Sequence, residues 1–328
     1  MRFLVIGLGS MGKRRIRCLK SLDYQSIKGF DLRPERRKEA KDKYDIDIVD
    51  KISAIDFSKL DAMIISTPPD HHNEYLKIAI KKEKSAFVEA SVLLDHVKEI
   101  WKLSQKKPVF IAPSCTMKFH PFIKDLKEIV GTHKYGKIAN YSYHTGQYLP
   151  DWHPWESVKD FYVSHRPTGG GREIVPFELT WIVDALGYPE DIKGYFENTI
   201  KTGAQIEDSY AFVLKNRGIV GAIVVDVASR FATRSLILNF EKAQLRWNWE
   251  DGFFSVYEAE KTRWIRYFLP EKKAVEGYNK NIHENMYIEE IQTFIMAVKG
   301  EKKFPNTLED DIRVLELLNR IEISDGGF

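Results

Sequence analysis

Arg2-Phe-Leu-Val-Ile-Gly-Leu-Gly-Ser-Met-Gly12 opens the chain, and its reading decides the architecture of the whole molecule. Phe3 to Ile6 form a short unbroken apolar run, as expected of a parallel strand buried on both faces. Glycines at 7, 9 and 12 come next, and residues 12 to 21 carry a helical pattern. Gly7 allows the tight turn, Gly9 lets a pyrophosphate approach the backbone, and Gly12 lets the returning helix pack against the strand. Amides at the helix start, around Ser10 and Met11, would hold the anion.

Glycine is common, so such a turn is weak evidence alone. Its surroundings strengthen it. Residues 27 to 30 read as a second strand, and Asp31 stands at its end, 19 residues after Gly12. A carboxylate there accepts both hydroxyls of an adenosine ribose; the competing reading is a cap or turn residue before Pro34. Arg33 is near enough in sequence to meet a 2′-phosphate, so NAD is favoured and NADP stays open.

The chain has 328 residues, enough for about two domains. Hydrophobic residues make up 43% and charged residues 30%, as in ordinary globular proteins. A net charge of +3 with dispersed lysines argues against nucleic-acid or anionic-lipid partners. No apolar run approaches the roughly 20 residues a membrane-spanning helix needs. The opening residues lack a signal-peptide pattern, and the two cysteines, Cys18 and Cys115, need no bridge, so a reducing cytoplasm is expected. A cysteine-rich metal site is excluded, and adjacent His71 and His72 do not suit one zinc.

Further along, helix is expected at 34 to 44, 71 to 82 and 95 to 106, alternating with strands at 61 to 67, 86 to 89 and 109 to 112. Pro68 and Pro69 stop the third strand and stiffen the loop after Thr67. The rhythm predicts a doubly wound parallel sheet over residues 1–118. Residues 119–328 then form an α+β domain with a large mixed or mostly antiparallel sheet, whose strands fall at 138–145, 208–215, 219–228, 234–240 and 243–249. Weaker ones are at 193–200, 253–259 and 262–269. Helices are expected at 121–130, 173–186, 284–299 and 307–322, with a possible helix return to the first domain. Pro176 predicts an interrupted or kinked helix.

The glycine turn, Asp31, the Thr67-Pro-Pro-Asp-His-His72 segment, the strand ending at Glu89, Thr116-Met-Lys-Phe-His-Pro-Phe122 and Gly169-Gly-Gly171 together resemble the glucose-fructose oxidoreductase, inositol dehydrogenase and rhizopine-catabolism family. The resemblance covers nearly the whole chain. It implies an NAD(P)-dependent oxidoreductase of a sugar derivative, pairing as a homodimer or homotetramer through the second-domain sheet. The expected cofactor residues are Gly7, Gly9, Ser10, Met11, Gly12, Asp31, Arg33, Thr67, Pro68, His71 and Glu89.

Two departures stand out. The family's Glu-Lys-Pro reads Glu89-Ala90-Ser91 here, so the lysine that tunes proton transfer is absent. The helix after the glycines, Arg172-Glu-Ile-Val-Pro-Phe-Glu-Leu-Thr-Trp181, has neither the aspartate nor the histidine expected of it. Hydride transfer still needs a group to take the hydroxyl proton. Glu178 is one candidate, either as an acid or base in a partly apolar cleft or as a structural carboxylate. His153 and Tyr148 are others, in the loop Gly146 to Glu156, whose tryptophans either wall a sugar or are simply buried. Lys118 either supplies the missing charge at the oxygen or sits on the surface; His120 either joins it or starts a helix. His165 and Arg166 either bind a substrate anion or lie in a surface loop. The leading expectation is a dehydrogenase of a sugar nucleotide or an acidic or amino sugar, bound between the nicotinamide and the second domain. The rivals are a redox-neutral lyase or epimerase with retained NAD, and a nucleotide-binding regulator without chemistry.

Overall fold

The computed structural model describes residues 1–152, 157–271 and 284–326. The chain divides into two compact units, Met1–Thr116 with Asn285–Arg313, and Met117–Glu284 with Val314–Phe328.

In the first unit, β1 (Phe3–Ile6), β2 (Ile27–Phe30), β3 (Asp47–Ile48), β4 (Ala62–Ile65), β5 (Ser85–Val88) and β6 (Ile111–Pro113) form a sheet in the order β3-β2-β1-β4-β5-β6. All pairings are parallel, with Phe3 opposite both Ile27 and Ala62. Every residue of β1 and β4 is buried, which explains why they read as unbroken apolar runs. Helices α1 (Ser10–Ser21), α2 (Pro34–Tyr44), α3 (His72–Lys81) and α4 (Leu94–Ser104) make the crossovers. Strand order reverses between β1 and β4, and ligands of such sheets bind outside the carboxyl ends of the strands at that reversal. The two-residue β3 has too little pattern to be foreseen. The unit is completed by most of α7 (Glu284–Val298) and the following turn: Phe294 stacks on Phe110 at 6.3 Å and meets Phe87 edge-on at 5.8 Å, while Phe304 also contacts Phe87.

The second unit is a mixed sheet of eight strands: β7 (Ile138–Gly146), β8 (Asp191–Glu197), β9 (Ser209–Asn216), β10 (Ile219–Asp226), β11 (Thr233–Phe240), β12 (Ala243–Asn248), β13 (Phe253–Glu258) and β14 (Arg263–Phe268). The order is β14-β13-β12-β11-β7-β10-β9-β8, and β7 with β10 is the parallel pair. Alternation along the strands buries one face: in β9, Tyr210, Phe212 and Leu214 are buried and Ala211 and Val213 are exposed. Helices α5 (Pro121–Gly131) and α6 (Gly171–Leu186) pack beside each other, α6 against β9 and β10. The end of α8 (Leu308–Ser324) is fastened by Ser324 and Asp325, which accept from the amides of Gly194 and Phe196. Gly169 is required structurally, since a Cβ there would lie 1.9 Å from the Val163 carbonyl oxygen. Of the two expectations at Pro176, an interruption is not found: α6 continues through it. The ring removes only one amide bond near the helix start, and Thr180 donates its hydroxyl to the Pro176 carbonyl at 2.8 Å.

Candidate functional site

At the β1/β4 reversal the glycine turn is shaped for a dinucleotide. Gly7 has φ +85°, and a Cβ on it would lie 2.5 Å from the Ser66 carbonyl oxygen; one on Gly12 would come 1.8 Å from the Gly7 carbonyl oxygen. Gly7 thus permits the tight turn and Gly12 the close return of α1, while a Cβ on Gly9 would meet only the Arg36 side chain, at 3.3 Å. Ser10 and Met11 open α1, whose first-turn amides have no acceptor within the helix. Asp31 follows β2 and is nearly buried; its Oδ2 accepts from the Leu8 amide at 2.7 Å and its Oδ1 from the Arg33 amide at 2.9 Å. Arg33 itself turns to Glu35, with Nε donating to Oε1 at 2.6 Å.

After β4, the Thr67 hydroxyl oxygen is buried with no hydrogen-bond partner among the described residues. That orphaned group beside the glycine cradle fits a bound cofactor, which would satisfy it. Pro68 leads into the short turn Pro69–His71. His71 is half-exposed, 4.0 Å from Glu74. His72 is the buried one: its ring lies 2.9 Å from the Thr67 carbonyl oxygen and 3.3 Å from the Ser91 hydroxyl, bridging the loops after β4 and β5. Burial lowers its pKa to about 4, outweighing the Thr67 hydrogen bond, so the ring is neutral near pH 7.

Glu89, at the end of β5, accepts both Nε and Nη2 of Arg15 at 2.7 and 2.8 Å, and the Ser66 hydroxyl at 3.2 Å. Arg15 is completely buried on α1 and also reaches Glu290 at 2.8 Å. Glu290 in turn accepts from the Ser114 and Thr116 hydroxyls and the Cys115 amide. Burial would lower the Arg15 pKa, but Glu89 and Glu290 more than compensate, and it stays charged. Glu89 is thus held as part of a buried ion network of the nucleotide unit.

In the second unit, Glu178 is completely buried and saturated. Its Oε2 accepts from the Tyr143 hydroxyl and Trp181 Nε1, both at 2.7 Å; its Oε1 accepts from Arg234 Nε at 2.9 Å and Nη2 at 2.8 Å. Four donors occupy the roughly four acceptor sites of a carboxylate. Tyr148 lies under Arg230, whose guanidinium is 3.9 Å from the ring centre. Lys118, almost buried, is 3.8 Å from Asp184. His120 caps α5, accepting from the Phe122 amide at 3.2 Å, and stacks on Trp249. Arg166 pairs with Glu207 at 2.5 Å, and His165 is exposed. His153 lies outside the described residues.

A residue that sequence reasoning passed over is Glu173, in the first turn of α6. The Tyr162 hydroxyl donates to its Oε1 at 2.6 Å, while its Oε2 is buried with no partner among the described residues. Tyr162 and Ile174 pack against an apolar cluster of Leu149, Val158, Val163, Ile206 and Val227. Burial raises the Glu173 pKa to about 7, against the opposing pull of the Tyr162 hydrogen bond. A carboxyl of that pKa exchanges protons near neutral pH. In sequence it resembles any acid favoured at a helix start; the available signal was the apolar Ile174-Val175-Pro176-Phe177 beside it.

Residues 1–113 match the model of the Gfo/Idh/MocA oxidoreductase family, NAD-binding Rossmann fold. No curated protein matches the chain in sequence. Solved structures share the fold of both units. An oxidoreductase from Agrobacterium radiobacter in complex with NAD+, L-tartaric acid and magnesium is 14% identical, with TM-score 0.85 over 99% of this chain and 96% of that one. A probable dehydrogenase from Thermotoga maritima is 20% identical, with TM-score 0.80 over 99% and 97%. A UDP-N-acetylglucosamine 3-dehydrogenase from Acidithiobacillus ferrooxidans is 14% identical, with TM-score 0.79 over 99% and 97%. The first unit accordingly has an NAD-binding Rossmann fold similar to that of this family, in a chain whose whole fold matches these structures.

Proposed function

We propose that the chain is an NAD(P)-dependent oxidoreductase of a sugar derivative in which Glu173, rather than Glu178, takes the hydroxyl proton. Oxidation of a secondary alcohol removes a hydride from carbon and a proton from oxygen, and forms a carbonyl. The nicotinamide of bound NAD(P)+ supplies the hydride acceptor. Glu173 receives the proton and passes it to solvent, with Tyr162 holding the carboxyl through Oε1. The observation that carries this assignment is the open, buried Oε2 of a carboxyl with a pKa of about 7. The substrate class is a sugar nucleotide or acidic sugar, in keeping with the UDP-sugar enzyme and the tartrate-bound oxidoreductase among the similar structures.

The reading assumes a reducing cytoplasm, with Cys18 and Cys115 as buried thiols. It also takes a second copy to pair on the uncovered face of the eight-stranded sheet, where Tyr195, Val213, Val220 and Val224 are between 41% and 73% exposed. Ala90 favours one alternative, a nucleotide-binding protein without chemistry.

The test is transfer of deuterium from ring-deuterated sugars and sugar nucleotides to the nicotinamide. The dehydrogenase reading expects transfer, slowed about 10²–10⁴-fold in E173Q with cofactor affinity retained. Cofactor binding without transfer from any substrate supports the regulator, and an E173Q variant as fast as the parent removes Glu173 from the mechanism.

A further inference from the structure

Three arginines follow Asp31 within six residues, and they are not equivalent. Arg33 is paired through Nε with Glu35 at 2.6 Å. Arg37 donates Nη1 to the carbonyls of Asp31 and Leu32 at 2.8 and 3.2 Å, and its Nε lies 3.3 Å from Asp50. Arg36 is placed differently. Its Nη1 is 3.3 Å from the point a Cβ on Gly9 would occupy and 4.0 Å from Asp31 Oδ2. The guanidinium therefore lies against the glycine turn and beside the carboxylate expected to accept the ribose hydroxyls.

Asp31 is pinned by the Leu8 and Arg33 amides, so it cannot easily swing aside for a 2′-phosphate. Its negative charge alone would disfavour that group. Arg36 offsets the charge at the same place and offers a planar fork of donors suited to phosphate oxygens. We infer that Arg36 is the residue that decides between NAD and NADP, and that it admits the 2′-phosphate beside Asp31 so that the chain binds both. This rests on the proposed NAD(P) dependence and moves the discriminating role from Arg33 to Arg36.

The experiment is calorimetric titration of the full chain and its R36A and R36K variants with NADH, NADPH and 2′,5′-ADP. The parent is expected to bind NADPH within about tenfold of NADH. In R36A, NADPH and 2′,5′-ADP should weaken by about 10–100-fold and NADH by less than about threefold, and R36K should fall between. Equal weakening of both dinucleotides in R36A would overturn the inference, since Arg36 would then act on the shared pyrophosphate. Parent binding to NADH but not NADPH would overturn it while leaving the cofactor reading intact. Binding of neither removes both.

Discussion

The first turn of α6 and the turn that carries Trp181 each hold a glutamate, five residues apart, in surroundings of different kinds: Glu178 is completely buried, whereas Glu173 is partly exposed with a buried Oε2. Glu178 receives four hydrogen bonds from Tyr143, Trp181 and Arg234. Glu173 receives one from Tyr162 and keeps a buried oxygen without a partner among the described residues. A saturated buried carboxylate fixes its neighbours. One that burial disfavours and only a neutral hydroxyl supports holds its proton to a higher pH. The nucleotide unit repeats the saturated type at Glu290, whose oxygens meet Arg15, Ser114, Thr116 and the Cys115 amide. Burial of a carboxyl therefore does not by itself tell the two kinds of surroundings apart; the supply of donors around it does.

The comparison breaks most readily through activity. E173Q should lower kcat by about 10²–10⁴-fold, equivalent to roughly 3–5 kcal/mol, without loss of the folded state. Steady-state kinetics with a urea melt of the same sample checks both halves. E178A should do the reverse. It strands the Arg234 charge, the Tyr143 hydroxyl and the Trp181 indole N–H, and should cost about 3–5 kcal/mol of unfolding free energy. A parental urea midpoint for E178A would mean that the four donors are not supporting the fold.

The pH dependence of stability sharpens the contrast. The Glu173 pKa is raised in the folded chain, so its contribution is greatest below the unfolded value of 4.5 and is lost as pH rises through about 7. The loss is about 3 kcal/mol, and E173Q should therefore gain stability relative to the parent between pH 4.5 and 8. His72 runs the other way. Its folded pKa of about 4 lies below the unfolded 6.5, so the parent loses stability as pH falls through that window, again by about 3 kcal/mol. Substituting H72N should flatten this acid limb in denaturant melts. The smallest effect belongs to Y162F. Removing the Tyr162 hydrogen bond to Glu173 should raise its pKa further and shift the kcat/KM profile to higher pH.

Much of the fold was legible because local pattern and global architecture agree. Phe3 to Ile6 and Ala62 to Ile65 are buried on both faces and read as apolar runs, and Gly7 and Gly12 stand where backbone crowding demands them. The strands of the second unit alternate clearly for the same reason: one face is covered and the other is not. The candidate site was less legible. Glu89 looked available because its partner Arg15 lies 74 residues earlier, and Arg15 also reaches Glu290, 275 residues beyond it. Glu178 looked open because three of its donors come from Tyr143 and Arg234, both on strands far from it in sequence. Glu173 was passed over because an acid in a first helical turn is usually there for the helix dipole, and its partner Tyr162 lies 11 residues earlier, outside the helix. Propensity and spacing report neighbours along the chain; whether a carboxyl is saturated depends on neighbours across it.

The central claim concerns one ionisation and can be read directly. Carboxyl carbon chemical shifts of glutamate-labelled parent and E173Q, followed by NMR from pH 4 to 9, isolate the Glu173 signal by difference. The account predicts a resonance that titrates near pH 7 and is missing from E173Q. A Glu173 resonance titrating near the ordinary value of about 4.3 would contradict it, because the carboxylate would then be stabilised by donors or solvent that this account denies it.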